Sequence, residues 1–467
     1  MTTNGLKHPG TDTQSVNRIG LIAAWGLRRN LRSLRFLFAV IICGFLGVAG
    51  GYFGSQRLVQ QIDEYEAIRE AEDQRLSRAR MIVQAMPVAL RSPSEGSILA
   101  SGAGSFFGSA ALLPGVFGQP IYWNPYTVTN PFLLFQSGGG FASLSMAILI
   151  LIAFLLTFDA VAAEDRGAAL RLVLSYGVRR RTYLLGMFVA GLITLLVPLL
   201  IGFLLALLVT GVVGFNLMPS HSVIAGFLIL SGLTLAAATL MGLAVSSFSS
   251  SARGSLLTLV VLWVSIVWVW PTVSTEITDH FWPIVSEQTT PPPRPSAANE
   301  AILNKLPRRA TNDASSTAST SAGAVFRTYL HKSSKIADLN DLAGQLQLKN
   351  FLSHLSIFEI YRNGVEAACG TGADSYLSFV NRCRMENRQL ASWHLGLIEE
   401  SPSQCYVWTN LDSPLPMDDR SPVVAVSSYE GSLGQVIQSA LALLVWVVLA
   451  AWSAAVGIER RSLVGAS

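Results

Sequence analysis

Long apolar stretches constrain this chain more than any other feature. The core of a bilayer is about 30 Å thick, and a helix of roughly 20 apolar residues crosses it. The sequence contains six stretches of about that length, at residues 36–53, 141–162, 184–213, 223–248, 255–273 and 433–458. Only 13% of the residues are charged, about half the share of a soluble domain. We therefore predict an all-α polytopic membrane protein with six transmembrane helices.

Arginines flank these stretches unevenly and predict the orientation of the chain. They lie before the first stretch and after the second, fourth and sixth: Arg28, Arg29, Arg32, Arg35, Arg166, Arg171, Arg179, Arg180, Arg181, Arg253, Arg460 and Arg461. The positive-inside rule then places both termini, residues 1–35 and 459–467, in the cytoplasm. A cleaved signal peptide is the alternative for the first stretch, but its polar leader and its apolar run are both too long.

Two long loops are predicted to face outward. The first, residues 54–140, begins with a charged helical pattern over Gln56–Leu90 that predicts a stalk helix, and its composition from Ser92 onward predicts irregular structure. The second, residues 274–432, contains a Pro-, Ser- and Thr-rich stretch at about 289–324 that predicts a disordered linker. Helical periodicity follows it, so we expect a mainly helical extracytoplasmic domain.

The segment before the first stretch has the pattern of an amphipathic helix. Between Arg18 and Leu34, arginines cluster on one arc of the helical wheel and apolar residues occupy much of the rest. Such a helix would lie in the headgroup layer with its arginines toward anionic membrane lipid. A merely basic cytoplasmic tail is the alternative.

The sequence lacks the motifs of several classes of enzyme and metal site. The chain lacks a Gly-Lys dipeptide and therefore a P-loop, and it lacks the H-E-x-x-H, C-x-x-C and G-x-S-x-G motifs. We predict no catalytic residues, no metal site and no cofactor in this chain, and a net charge of +4 gives no reason to expect nucleic acid. The predicted outer domain holds Cys369, Cys383 and Cys405, among which one disulfide is expected, with the pair left open.

The connection between the second and third stretches, residues 163–183, carries the most distinctive pattern. An acidic helix end is followed by a glycine, a short apolar helix, a turn and a basic helix start. The residues concerned are Glu164, Asp165, Gly167, Leu170, Leu174, Ser175, Gly177, Arg179, Arg180 and Arg181. An apolar ridge flanked by charge suits a groove on a cytoplasmic partner. The residues alone leave an ordinary charged connector equally open.

This connection resembles the signature of ABC-2-type transporter permeases. The matching positions are Asp165, Gly167, Leu174, Ser175, Val178, Arg180 and Leu184-Leu185-Gly186. The chain departs from the family pattern at Ala168, Ala169, Gly177 and Met187. Two further segments are similar to the long subgroup with enlarged periplasmic loops: Asn124-Pro125-Tyr126, and Gly370-Thr371-Gly372 with Tyr376, Phe379 and Val380.

The resemblance implies a permease subunit in the bacterial inner membrane that lacks catalytic activity of its own. A dimer of separate ABC ATPase subunits would bind ATP and magnesium, and residues 163–183 would carry its motion into the second and third spans. The expected function is export of an unidentified substrate. Because only Asp159 is ionisable within the spans, an ion-coupled transporter is disfavoured.

The resemblance also implies a second permease copy or a paralogue, facing this one through spans two and five. Trp263, Trp268 and Trp270 of span five are candidates for that subunit interface, with lipid contact as the alternative. A different class of function stays open: a force-transmitting complex whose outer domain acts on a periplasmic partner without passing substrate. An enzyme in the outer domain is disfavoured by the missing motifs.

Overall fold

The computed structural model describes residues 11–77, 86–102, 110–115, 121–123, 140–162, 178–214, 217–281, 339–400, 425–426 and 432–464. It confirms an all-α polytopic membrane protein. Within these residues, five helices are long and apolar enough to cross a membrane: Leu34–Ser77, Arg180–Val213, His221–Phe248, Ala252–Phe281 and Leu433–Arg460. A sixth apolar helix, Phe141–Thr157, is shorter. The predicted linker at 289–324 lies outside the described residues.

Each of the six predicted apolar stretches falls on a helix. In chain order the helices are α1 Thr11–Leu31, α2 Leu34–Ser77, α3 Phe141–Thr157, α4 Arg180–Val213, α5 His221–Phe248, α6 Ala252–Val264, a π-helical segment Ser265–Val269, α7 Trp270–Phe281, α8 Leu339–Ser353, α9 Ile357–Ala368, α10 Ala373–Glu400 and α11 Leu433–Val464. The second predicted stretch ends early, because helix α3 stops at Thr157 and turns occupy residues 158–162. The fifth is α6, the π segment and α7 in succession.

Helix α2 packs on α4 through small residues. A side chain on Gly47 would collide with the Gly202 carbonyl, and one on Gly202 with the Cys43 carbonyl. The Ser55 hydroxyl, one helical turn beyond Gly51, hydrogen-bonds the Thr210 hydroxyl at 3.2 Å. Without a hydrophobic drive between helices in lipid, close backbone approach of this kind is what holds them together.

Helix α1 packs on the opposite half of α4, again through small residues. Gly186 of α4 lies against Ile22, and a side chain on Gly26 would come within 2.9 Å of the Ala190 Cβ. The Asn30 side-chain amide donates to the Thr194 hydroxyl at 3.4 Å. The contacts advance in the same direction along both helices, so α1 runs parallel to α4. A helix is thus present where the amphipathic helix was predicted, but it runs along a span helix with one face on α4. Its predicted place in the headgroup layer stays a prediction.

Helices α8 and α9 form a hairpin that differs from the prediction. We expected residues 274–432 to lie outside the membrane bundle, but Ile357, Ile360 and Tyr361 belong to the same buried core as α3, α4, α5 and α11. Gly364 lies against Ser439 of α11. The reason is that α9 is amphipathic, with one side apolar enough to fill the space between the span helices.

Side chains of the span helices satisfy the backbone of the hairpin turn. Trp270 Nε1 donates to the Leu352 carbonyl at 3.0 Å, and Trp446 Nε1 donates to the His354 carbonyl at 3.0 Å. The Ser356 hydroxyl donates to the Ile266 carbonyl of the π segment at 2.9 Å and accepts from the Glu359 amide. Irregular backbone is tolerated at such a depth only where protein groups satisfy it.

The charged side chains of α9 form ion pairs within the helix. Glu359 is 1% exposed and forms an ion pair of 3.4 Å with Arg362, which lies 3.7 Å from Glu366. The Ser274 hydroxyl of α7 donates to Glu359 Oε2 at 3.5 Å. The Ser274 contact, together with the Trp270 and Ser356 hydrogen bonds described above, joins the hairpin to the fifth span, so the two form one packed unit.

A small sheet covers α10 beyond the bundle. Strands β1 Val88–Arg91, β2 Ala110–Leu112, β3 Ile121–Trp123 and β4 Ala425–Val426 lie in the order β3-β2-β1-β4. The first three are antiparallel neighbours, with Val88 opposite Leu112, and β4 runs parallel to β1. Buried residues of β1 and β2 pack on Tyr376, Phe379 and Val380 of α10.

Two expectations for the first outer loop need correction. The stalk helix was predicted to reach Leu90, but Val88–Arg91 is a strand, and the described helix α2 spans Leu34–Ser77. Irregular structure was predicted from Ser92 onward, yet β2 and β3 lie within that range. Both strands are only three residues long, and the apolar β2 is buried on both faces. Such short strands show no alternation that periodicity could detect.

Replacing Gly202 by alanine tests the α2–α4 contact. We expect Gly202→Ala to cost about 1–3 kcal/mol, because the added Cβ forces two backbones apart. The matched control is Gly232→Ala, where a Cβ would meet nothing within 4 Å. Both changes improve helix propensity equally. Thermal unfolding in detergent is monitored by the alkylation of the Cys43 thiol, which is buried in the folded protein. Equal unfolding temperatures for the two variants would contradict the contact.

Candidate functional site

The connection between α3 and α4 is described on either side of its centre. Residues 158–162 and 178–183 are described, and with them the predicted coupling residues Arg179, Arg180 and Arg181. The other predicted coupling residues lie outside the described part of the chain: Glu164, Asp165, Gly167, Leu170, Leu174, Ser175 and Gly177. The site is therefore built from the two ends of the segment and from what holds them.

Ser246 of α5 holds the upstream end. Its hydroxyl donates to the Phe158 carbonyl at 2.9 Å. It also accepts from the amides of Val161 at 3.0 Å and Ala162 at 3.2 Å. A serine hydroxyl has one donor and two acceptor lone pairs, so these three bonds use its full capacity. The turns after α3 thus receive from α5 the partners that a continued helix would have supplied.

The downstream end is held by α11. Arg180 Nη1 donates to the Ile458 carbonyl at 3.1 Å. Arg181 forms an ion pair of 2.6 Å with Glu459, but both side chains are more than half exposed. An exposed pair of this kind stabilises by at most about 1 kcal/mol. Arg179, the N-cap residue of α4, is exposed in the described part of the chain.

The residues at both ends of the segment 163–177 pack in one apolar cluster. Ala160 and Val161 pack in the same cluster as Tyr183 and Leu184, and the Tyr183 hydroxyl donates to the Ala160 carbonyl at 3.3 Å. Residues of α5 and α11 complete this cluster: Leu243, Ala244, Ala454 and Ile458. The described residues on either side of 163–177 therefore meet at one place, on a base made by α4, α5, α11 and the turns after α3.

A family model described as ABC-2 family transporter protein matches residues 21–463. The chain belongs to the ABC-2 transporter family. It is accordingly the permease subunit of an ABC transporter, a multi-pass membrane subunit of a non-catalytic family whose partner is an ABC ATPase. No curated protein matches the chain.

The three tryptophans of the fifth span differ in their surroundings. Trp263 Nε1 donates to the Ala147 carbonyl of α3 at 2.8 Å, and Trp270 Nε1 donates to the hairpin turn. Trp268 is 55% exposed. The hydrogen bonds give Trp263 and Trp270 a structural role within the subunit, which the sequence did not indicate. The subunit interface stays a prediction, and Trp268 is the member of the set best placed for it.

The described cysteines of the outer loop are not paired. Cys369, at the end of α9, and Cys383, in α10, are both free and buried, and Cys405 lies outside the described residues. Burial raises the pKa of each thiol to about 12. In the described part of the chain, no group of three His, Cys, Asp or Glu side chains could hold a metal ion.

Sequence reasoning missed Ser246 and Glu459 as parts of this site. Ser246 stands in the serine-rich end of an apolar helix, 84 residues from the amide it binds. Only the pair Ser246-Ser247, polar within an apolar run, could have drawn attention to it. No spacing in the sequence relates either residue to the segment between α3 and α4.

The two buried thiols should resist alkylation in the folded protein. Because their pKa values are raised, both stay protonated at neutral pH, and thiolate is the reactive form. We expect maleimide to label Cys369 and Cys383 only after denaturation, measured by mass spectrometry of the corresponding peptides. Rapid labelling of either thiol in native membranes would contradict the packing described above.

Proposed function

We propose that this permease couples ATP hydrolysis by a dimer of ABC ATPase subunits to export, through the segment 163–177. The observation that carries the proposal is the common base under the two ends of that segment. A segment anchored at both ends on one base of packed helices would transmit a push from a partner into the bundle, whereas a loose connector would absorb it. Its residues Glu164–Ser175 would contact the ATPase, and Arg179 would extend that contact.

We expect a push from the ATPase to act first on helix α4. It begins at the downstream end of the segment, and its first half packs on α1 while its second half packs on α2. A displacement at Arg180 would therefore move α1, α2 and α4 together. Both termini and the segment would then lie in the cytoplasm, and the membrane would be the bacterial inner membrane.

Transport further requires a partner permease, either a second copy or a paralogue. The outward side of α6, the π segment and α7 is apolar and exposed in the single chain, with Val261 at 57% and Trp268 at 55%. In the proposed assembly this side faces the partner, and the route for substrate runs between the two subunits. The remaining apolar surface would contact lipid.

Charge reversal tests the coupling assignment. Arg179→Glu with Arg180→Glu and Arg181→Glu, or deletion of residues 167–175, should abolish co-purification with the ATPase or uncouple its hydrolysis. The reason is that both changes alter the proposed docking element. The control is Arg253→Glu, an exposed arginine in the first turn of α6. Normal assembly and normal coupled hydrolysis in the triple variant would reject the assignment.

A second candidate function is force transmission to a periplasmic partner, and the length of α2 favours it. This helix has 44 residues, or about 66 Å, roughly twice the thickness of a bilayer core. Its far end contacts the sheet: the Val88 amide donates to Glu72 Oε1 at 2.9 Å, and Arg75 donates to the Met86 carbonyl. Motion of α4 would therefore reach the outer sheet through one continuous helix.

A helix break in the middle of the stalk separates the two candidates. Ala67→Pro should leave ATPase binding intact, because the exposed position is far from the ATPase, but it kinks α2. Hydrogen exchange of β1 is then measured with and without ATP in the assembled complex, with Ala67→Ser as the control. Force transmission predicts an ATP-dependent change that Ala67→Pro removes. A change that survives the proline would reject this second candidate.

A further inference from the structure

Ser246 is bonded differently from most buried hydroxyls of the span helices. Ser145, Thr157, Thr194, Thr210, Thr234 and Thr239 each donate to the carbonyl four residues earlier in their own helix. That is the ordinary way for a hydroxyl in an apolar helix to be satisfied. Ser247, next in sequence, likewise donates within α5, to Ala244 at 2.7 Å. Ser246 instead donates to another segment, the turns after α3.

The three bonds of Ser246 replace helical bonds at the end of α3. The amides of Val161 and Ala162 would find carbonyl partners in α3 if the helix continued, but the chain turns at Phe158. The groups concerned are buried, so leaving them unpaired would be costly. Ser246 therefore defines where α3 stops and where the chain leaves the bundle toward residue 163.

Helix α5 connects this point to the other side of the bundle. Its outer half contacts α9 of the hairpin: the Ser231 hydroxyl donates to the Tyr361 hydroxyl at 3.3 Å, and Gly226 lies against Ala368. Of the helices long enough to cross the membrane in the described chain, α5 is the most deeply buried. A buried, closely packed helix moves as a rigid body, so a displacement at Ser246 is carried to the hairpin.

We propose that Ser246 is the positioning residue that joins the coupling segment to α5 and, through α5, to the hairpin α8–α9. The inference rests on the proposed function, and it adds a second route beside α4. Through Ser246, motion of the ATPase reaches the hairpin as well as the stalk. Ser246 itself does not contact the ATPase, and its role is to fix the upstream end of the segment.

Removing the hydroxyl tests this role. The variant Ser246→Ala is expressed with the cognate ATPase, and the purified complex is compared with wild type and with the control Ser247→Ala. We expect the complex to assemble and the amides of residues 158–162 to exchange about tenfold faster, because two of them lose their acceptor. The maximal rate of ATP hydrolysis by the complex should fall at least about fivefold, the factor that the loss of a single hydrogen bond would give, because all three bonds of the hydroxyl are removed. The KM for ATP should be unchanged.

Several outcomes decide the proposal. Faster exchange with an unchanged hydrolysis rate would overturn it, and so would an equal loss of rate in Ser247→Ala. If Ser246→Ala fails to assemble, Ser246→Thr decides: recovery of assembly and rate supports the role of the hydroxyl, and failure to recover overturns it. Failure of this inference can be distinguished from failure of the proposed function. Normal coupling in the variant with Arg179–Arg181 reversed would reject the coupling role of segment 163–177, independently of the results for Ser246.

Discussion

The backbone contact between α2 and α4 is the constraint on which the rest of the structure depends. Gly47 and Gly202 meet with no side chain between them, and Gly51 meets Ala206 one turn further along. Association of helices in lipid relies on such close packing, since lipid tails are as apolar as the helices. The contact joins α4 to the stalk helix, with α1 packed on the first half of α4 and α2 on the second. Through α2, this contact also connects α4 to the stalk, which is described as far as Ser77.

The hairpin α8–α9 shows how a polar element can occupy the interior of a membrane bundle. Two indoles donate hydrogen bonds to the backbone of its turn. Ser356 at the turn donates to a carbonyl of the π segment. The charged side chains of α9 are paired with one another, and Glu359 accepts a hydrogen bond from α7. A buried ion pair contributes little net stability, but breaking it is costly. The hairpin is therefore held in one position relative to the fifth span, and any movement of α5 acts on a well-defined unit.

The span helices were predictable from the sequence because length and hydropathy are sufficient for them. The position of α9 was not, because Glu359, Arg362 and Glu366 give it the pattern of a surface helix and only the fold supplies their partners. The hydrogen bonds of Trp263 and Trp270 were not predictable for a similar reason: the sequence shows an indole but not the carbonyl that it binds. At the candidate site, the basic start of α4 was visible in the sequence. The role of Ser246 was not, because it depends on the contact between the turns after α3 and helix α5 in the folded protein.

Site-specific photocrosslinking tests the central claim most directly. A photoreactive amino acid replaces Arg179, which is exposed at the start of α4, and in a parallel variant it replaces Glu66, which is exposed on the stalk. Both variants are irradiated in intact membranes that contain the cognate ATPase. The account predicts a crosslink to the ATPase subunit from position 179 and none from position 66. A crosslink from position 66, or none from position 179, would contradict it.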